Sequence, residues 1–126
     1  MVNDLHRRLH EQGYDEIRPA HGCVFRFIEP TGTRLTVLAE QSGLTKQAVG
    51  EVADDLERLG YVERLADPLD GRAKLIRLTD RGARSRATAV RIMGEIEAEW
   101  AERHGEDAVA TLREVLEAVT DERVPA

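Results

Sequence analysis

The run Thr45-Lys46-Gln47-Ala48-Val49-Gly50-Glu51 carries a hydroxyl, an ammonium, a carboxamide and a carboxylate within two helical turns. These are groups that can address base edges. A carboxamide such as Gln47 pairs bidentately with adenine, Lys46 suits guanine or a phosphate, and Glu51 can accept from cytosine. Thr45 can donate to a phosphate, and Gly50 has no side chain to hold a helix away from a groove. Farther along, Asp70-Gly71-Arg72 lies in a turn-forming run. Asp70 is expected to bond the Arg72 guanidinium and hold it rigid. Lys74, Arg64 and Arg34 complete the expected DNA-binding set as phosphate contacts. Each residue also has a plainer reading: a solvated helix face for Lys46 and Gln47, a surface ion pair for Arg72, and for Gly50 a packing concession of roughly 1 kcal/mol against Ala.

The formal net charge of -6 speaks against a polyanionic partner only if charge is spread evenly. It is not. From Arg72 to Arg86 six basic side chains face Asp80 alone, whereas from Ala87 onward four arginines face ten carboxylates. One strongly basic segment beside an acidic one is the footprint of a protein that grips nucleic acid with one face.

Glycines and prolines divide the chain into the elements that must position these residues. Val2 to Gln12 reads as a short helix with Leu5 and Leu9 one turn apart, ended by Gly13. A second helix is expected from Pro19 to Pro30, burying Val24, Phe25 and Ile28, followed by an extended piece at Thr33 to Leu35. Thr36 is the expected N-cap of a short helix that Gly43 ends with a left-handed backbone. Thr45 caps the next, whose apolar stripe Ala48, Val49, Val52, Leu56 and Leu59 runs to Gly60. Two helices so closely joined form a helix-turn-helix.

Tyr61 to Leu65 and Lys74 to Leu78 alternate as strands around the turn Asp67 to Arg72, which makes a β-hairpin. Thr79 or Asp80 then caps a long helix to about Arg103, with apolar positions Ala83, Ala87, Val90, Met93, Gly94, Ile96 and Trp100. A last helix starts near Asp107 and carries Val109, Leu112, Val115, Leu116 and Val119. These two helices hold more apolar surface than a small domain can cover, so pairing with a second copy is expected. Leu5, Leu9, Val90, Met93, Trp100, Leu112, Val115, Leu116 and Val119 are the expected dimerisation residues.

Three strings sharpen the assignment: LTKQAVGEVADDLERLGYVER from Leu44, DPLDGRAKLIRLT from Asp67, and DRG from Asp80. The chain resembles the MarR family from about Ile17 to Val119. The resemblance implies a mostly α fold with a small β-hairpin wing (α+β), a winged helix-turn-helix at about 17–86, and dimerisation helices at about 2–12 and 81–120 of one 1–126 unit. It implies a transcriptional regulator, in the expected case a repressor. As a homodimer it would bind a pseudo-palindromic operator in double-stranded DNA, with the recognition helix in the major groove and the wing arginine in the minor groove. It also implies a pocket for a small aromatic or phenolic effector. The chain departs from the family in its short first helix and in Gly71, which stands where a further basic residue is frequent.

Other classes fit less well. No nucleophile, base and oxyanion donor recur together, so no enzyme and no cofactor are expected. His6 and His10 have the i, i+4 spacing of metal ligands, but without a cysteine cluster surface histidines are the expectation. Cys23 beside Val24, Phe25 and Phe27 reads as a buried thiol more readily than as a redox sensor. A winged helix used only for protein contacts is the remaining alternative, and the basic segment argues against it. No stretch approaches the ~20 apolar residues of a membrane span, no signal peptide is evident, and the lone cysteine suits a reducing compartment. The expected location is the cytoplasm.

Overall fold

The computed structural model describes the backbone of residues 2–123 and the side chains of residues 3–118. Helix α1 (Val2–Glu11) leads to a 3-10 turn at Pro19–His21 and a single-turn α2 (Gly22–Phe25). Strand β1 (Thr33–Arg34), α3 (Leu35–Ser42) and α4 (Lys46–Arg58) follow, then the hairpin β2 (Val62–Asp67) and β3 (Asp70–Leu78). Helices α5 (Asp80–His104) and α6 (Glu106–Arg123) close the chain. The fold is mostly α with a small antiparallel sheet, and β1 joins the expected hairpin to give the strand order β1-β3-β2.

The helix-turn-helix forms because its stop and start signals lie in adjacent residues. Gly43 takes φ 74°, a left-handed backbone that releases the chain from α3. Two residues later the Thr45 hydroxyl accepts the Ala48 N–H at 3.0 Å and starts α4. Val49, Ala53 and Leu56 form the buried stripe of α4, meeting Leu38 of α3, Val24 and Ile28 in one core with Tyr61 and Ile76. Ala53, absent from the expected stripe, completes it between Val49 and Leu56.

Several local expectations are corrected. The helix from Pro19 to Pro30 is reduced to a 3-10 turn and one α turn, although Val24 and Ile28 are buried. Arg34, in extended backbone, takes the N-cap position of α3 in place of Thr36 without a side-chain cap bond. Thr33 instead accepts the Glu29 N–H at 2.9 Å and closes the preceding loop. The hairpin ladder runs farther than the alternation suggested, leaving only Pro68 and Leu69 between its strands, with a register shift between Ala66 and Asp67.

Helix α5 is capped by Thr79, whose hydroxyl accepts the Gly82 N–H at 3.1 Å. A side chain at Gly82 would place its Cβ 2.0 Å from the Tyr61 carbonyl oxygen, so only glycine lets α5 start this close to the hairpin. The inner face of α5 buries Ser85, Ile92 and Ile96, with the Ser85 hydroxyl satisfied by the Gly82 carbonyl at 2.8 Å. Ala83, Ala87, Val90 and Gly94 form a different, exposed stripe. The expected list of apolar positions thus combined two faces and left out Ile92. Leu9 of α1 is buried within the chain, and Arg8 of α1 bonds Glu99 of α5 at 2.6 Å, so Leu9 serves the chain's own core and not an outer surface.

Candidate nucleic-acid interface

Lys46, Gln47 and Glu51 are exposed on α4, and their side chains meet no hydrogen-bond or ion-pair partner among the described residues. Thr45 is exposed as well. Its oxygen caps the helix, which leaves its O–H free to donate outward. Gly50 differs. A Cβ there would lie 3.6 Å from Leu35 Cδ2, an ordinary contact, so this position faces α3 and packing does not require its glycine.

The inner side of α4 is held by a buried histidine. The Arg18 N–H donates to His21 Nδ1 at 3.0 Å, which leaves the ring proton on Nε2 to donate to Asp55 Oδ2 at 2.7 Å. That bond, followed by one from Arg58, holds the Asp55 carboxyl below the usual carboxylate range. The pair ties the turn before α2 to the middle of the recognition helix, and no spacing in the sequence announced it.

The hairpin corrects one expectation, the bond from Asp70 to the Arg72 guanidinium, and two of the expected phosphate residues meet acidic partners. Asp70 accepts the backbone N–H of Arg72 at 3.1 Å, so it shapes the turn and leaves the guanidinium alone. Arg64, expected at a phosphate, bonds Asp54 and Glu57 of α4 at 2.7 Å each and fastens the wing to the recognition helix. Arg34, also expected at a phosphate, is bonded to Asp67. Asp67 is the residue that sequence reasoning missed. Its place ahead of Pro68-Leu69 in a turn was the available signal.

Pairing sorts the other basic residues too. Arg77 bonds Glu63, Arg86 donates to the Ile28 carbonyl at 2.6 Å, and Arg81 bonds Glu16 while lying 4.6 Å over the Tyr61 ring. Between Arg34 and Arg86, the basic side chains with neither an ion pair nor a hydrogen bond among the described residues are Lys46, Arg72, Lys74 and Arg84, all exposed. Three of these four stand at the start of α4 or on the wing.

The histidine and cysteine alternatives look different in three dimensions. His6 Nδ1 and His10 Nε2 both meet the Ile17 carbonyl oxygen, at 3.3 and 3.1 Å. Among the described residues no group of three or more His, Cys, Asp or Glu could hold a metal ion. Cys23 is half-buried, and that burial pushes its thiol up, away from the thiolate that oxidants attack. No described helix is long and apolar enough to cross a membrane.

A capped recognition helix, a hairpin fastened to its side and a long helix leaving the hairpin define a winged helix-turn-helix protein. Residues 17–73 match the MarR family. Among solved structures the chain is similar to the PcaV transcriptional regulator from Streptomyces coelicolor in complex with its natural ligand. It is 26% identical to that protein, with a TM-score of 0.65, and the match covers 91% of this chain and 88% of that one. The fold is shared with a MarR-family transcriptional regulator from Rhodococcus sp. RHA1, at 24% identity and a TM-score of 0.73, over 94% of this chain and 83% of that one. It is shared as well with Streptococcus pneumoniae FabT in complex with DNA, at 16% identity and a TM-score of 0.79, over 95% of this chain and 85% of that one. Among curated proteins, none matches the sequence.

Proposed function

We propose that the protein is a sequence-specific DNA-binding repressor that occupies a pseudo-palindromic operator as a homodimer. In this reading α4 enters the major groove and the wing enters the minor groove. The observation that carries it is the partition of basic side chains. Acidic neighbours neutralise Arg34, Arg64, Arg77 and Arg81, while Lys46, Arg72 and Lys74 remain exposed on the recognition helix and the wing. Counterion release by these three groups would drive binding. Gln47 and Glu51 would read bases, and Arg72 would enter the narrow groove.

Small-molecule control belongs to the same proposal. An open cleft of about 590 Å³, lined by Asn3, His6, Arg7, His10, Glu11 and Pro19, lies where α1 meets the start of the winged helix. The PcaV structure holds that protein's natural ligand. A small aromatic or phenolic effector in this cleft would release DNA only by binding the non-DNA conformation more tightly.

Selection of bound sequences from random duplexes tests the proposal. Gln47→Ala is expected to relax one base preference, and Arg72→Ala to weaken binding evenly across sequences. Binding is expected to fall steeply with added salt. Absence of duplex binding at modest salt would instead favour a protein-contact module, and unchanged selection in both variants would reject these contacts.

A further inference from the structure

One carboxylate organises the wing tip. Asp67 is 6% exposed, an unusual position for a charged side chain. Its Oδ1 accepts the Leu69 N–H at 2.8 Å, and its Oδ2 receives Arg34 Nε at 2.7 Å and Nη2 at 2.5 Å. Arg34 lies on β1 and Asp67 on β2, the two outer strands. Their bond therefore spans β3 at the point where the ladder slips register between Ala66 and Asp67. Beyond it lie Pro68, a Leu69 that is 94% exposed, and the Asp70 turn that holds the Arg72 N–H. The Leu69 N–H first, and Arg34 next, hold the Asp67 carboxyl below its usual range.

We propose that Arg34 is a positioning residue for DNA recognition: through Asp67 it fixes the turn that presents Arg72, and it takes no phosphate itself. The inference rests on the DNA-binding reading above. Nε and Nη2 of Arg34 both point at one carboxylate oxygen, so turning the guanidinium toward a phosphate would leave Asp67 buried without its counter-charge. A tip ordered in advance loses less entropy on entering a groove than a mobile one.

The test compares Arg34→Gln, Asp67→Asn, Arg34→Lys and Arg72→Ala, with the pairwise combinations, by fluorescence anisotropy on a selected duplex at fixed salt. Removing an acidic group from a DNA-facing surface should tighten binding if only charge matters. Positioning gives the opposite sign. Asp67→Asn is expected to weaken binding by about the same factor as Arg34→Gln, on the order of fivefold. The double variant is expected to be no weaker than either single one, and neither change to matter once Arg72 is Ala. Arg34→Lys should recover part of the loss. Amide exchange at Leu69 and Arg72 should quicken in Arg34→Gln and Asp67→Asn while the thermal midpoint of the fold holds. Tighter binding by Asp67→Asn, or an Arg34→Gln loss that adds in full to that of Arg72→Ala, would make Arg34 a phosphate contact and end the proposal. If the unmodified protein binds no duplex, the DNA-binding reading itself falls. Binding by the unmodified protein alongside a tighter Asp67→Asn removes only the positioning role.

Discussion

Tyr61 joins three parts of the molecule through one side chain. Its hydroxyl donates to Glu16 at 2.9 Å and accepts from Arg81 at 3.1 Å, and the edge of its ring packs against Phe25. Burial and the Glu16 bond push its phenol up to about 12, against roughly 10 for an unfolded tyrosine. The folded state therefore keeps a proton that the unfolded chain releases. This contribution to stability is whole below pH ~10 and is lost as pH rises from there toward 12. Denaturant midpoints measured between pH 8 and pH 12 should decline in that window, and Tyr61→Phe should flatten that part of the decline. A phenolate absorbance from Tyr61 already present near pH 10 would contradict the account. At the same scale, Arg34, Arg64 and Arg72 are chemically identical, and only their neighbours separate a clamp on Asp67 and a fastening to α4 from an exposed cation.

The recognition helix keeps its inner face apolar and its outer face polar, which is why its N-cap and, Ala53 apart, its buried stripe were legible from spacing alone. Gly50 is the exception within it. Its missing side chain would meet Leu35 Cδ2 in ordinary contact at 3.6 Å, and a helical glycine costs up to about 1 kcal/mol against alanine. Gly50→Ala is thus expected to raise stability by up to that amount, read as a higher thermal midpoint, with duplex affinity unchanged. A loss of affinity in a well-folded variant would return Gly50 to the groove. In α5, spacing misled. Positions 83, 87, 90 and 94 repeat as regularly as 85, 92 and 96, and small or apolar residues occupy both stripes, so periodicity could not say which one faces inward.

At the scale of the molecule, the C-terminal helices leave apolar side chains in solvent. Val90 is 59% exposed and Val115 is 54% exposed, and Leu112, one turn before Val115, is exposed as well. Met93 and Trp100 are half-buried, while Val119 lies outside the residues whose side chains are described. Large apolar side chains left in water favour association, and a second copy is the proposed partner. Sedimentation equilibrium should give twice the chain mass, and Val90→Glu with Val115→Glu should shift it toward the monomer. The same double variant should weaken operator binding more than binding to a single half-site, because a twofold particle reads two half-sites one turn apart. An unmodified protein that sediments as a monomer would refute the pairing.

Features that depend on neighbours three or four positions apart could be read from the sequence: the cap at Thr45, a cap at Thr79 or Asp80, the left-handed Gly43, the hairpin, and the order of elements that resembles MarR. Their energetics are local, so residue type and spacing suffice. Which arginines stay free, which stripe of α5 is buried and what holds the wing were settled only by folding. The pairs involved are far apart in the chain: Arg34 meets Asp67, Arg81 meets Glu16 and His21 meets Asp55. An ion pair or buried hydrogen bond of that kind is set by the packing that brings its two segments together, and no local pattern encodes it.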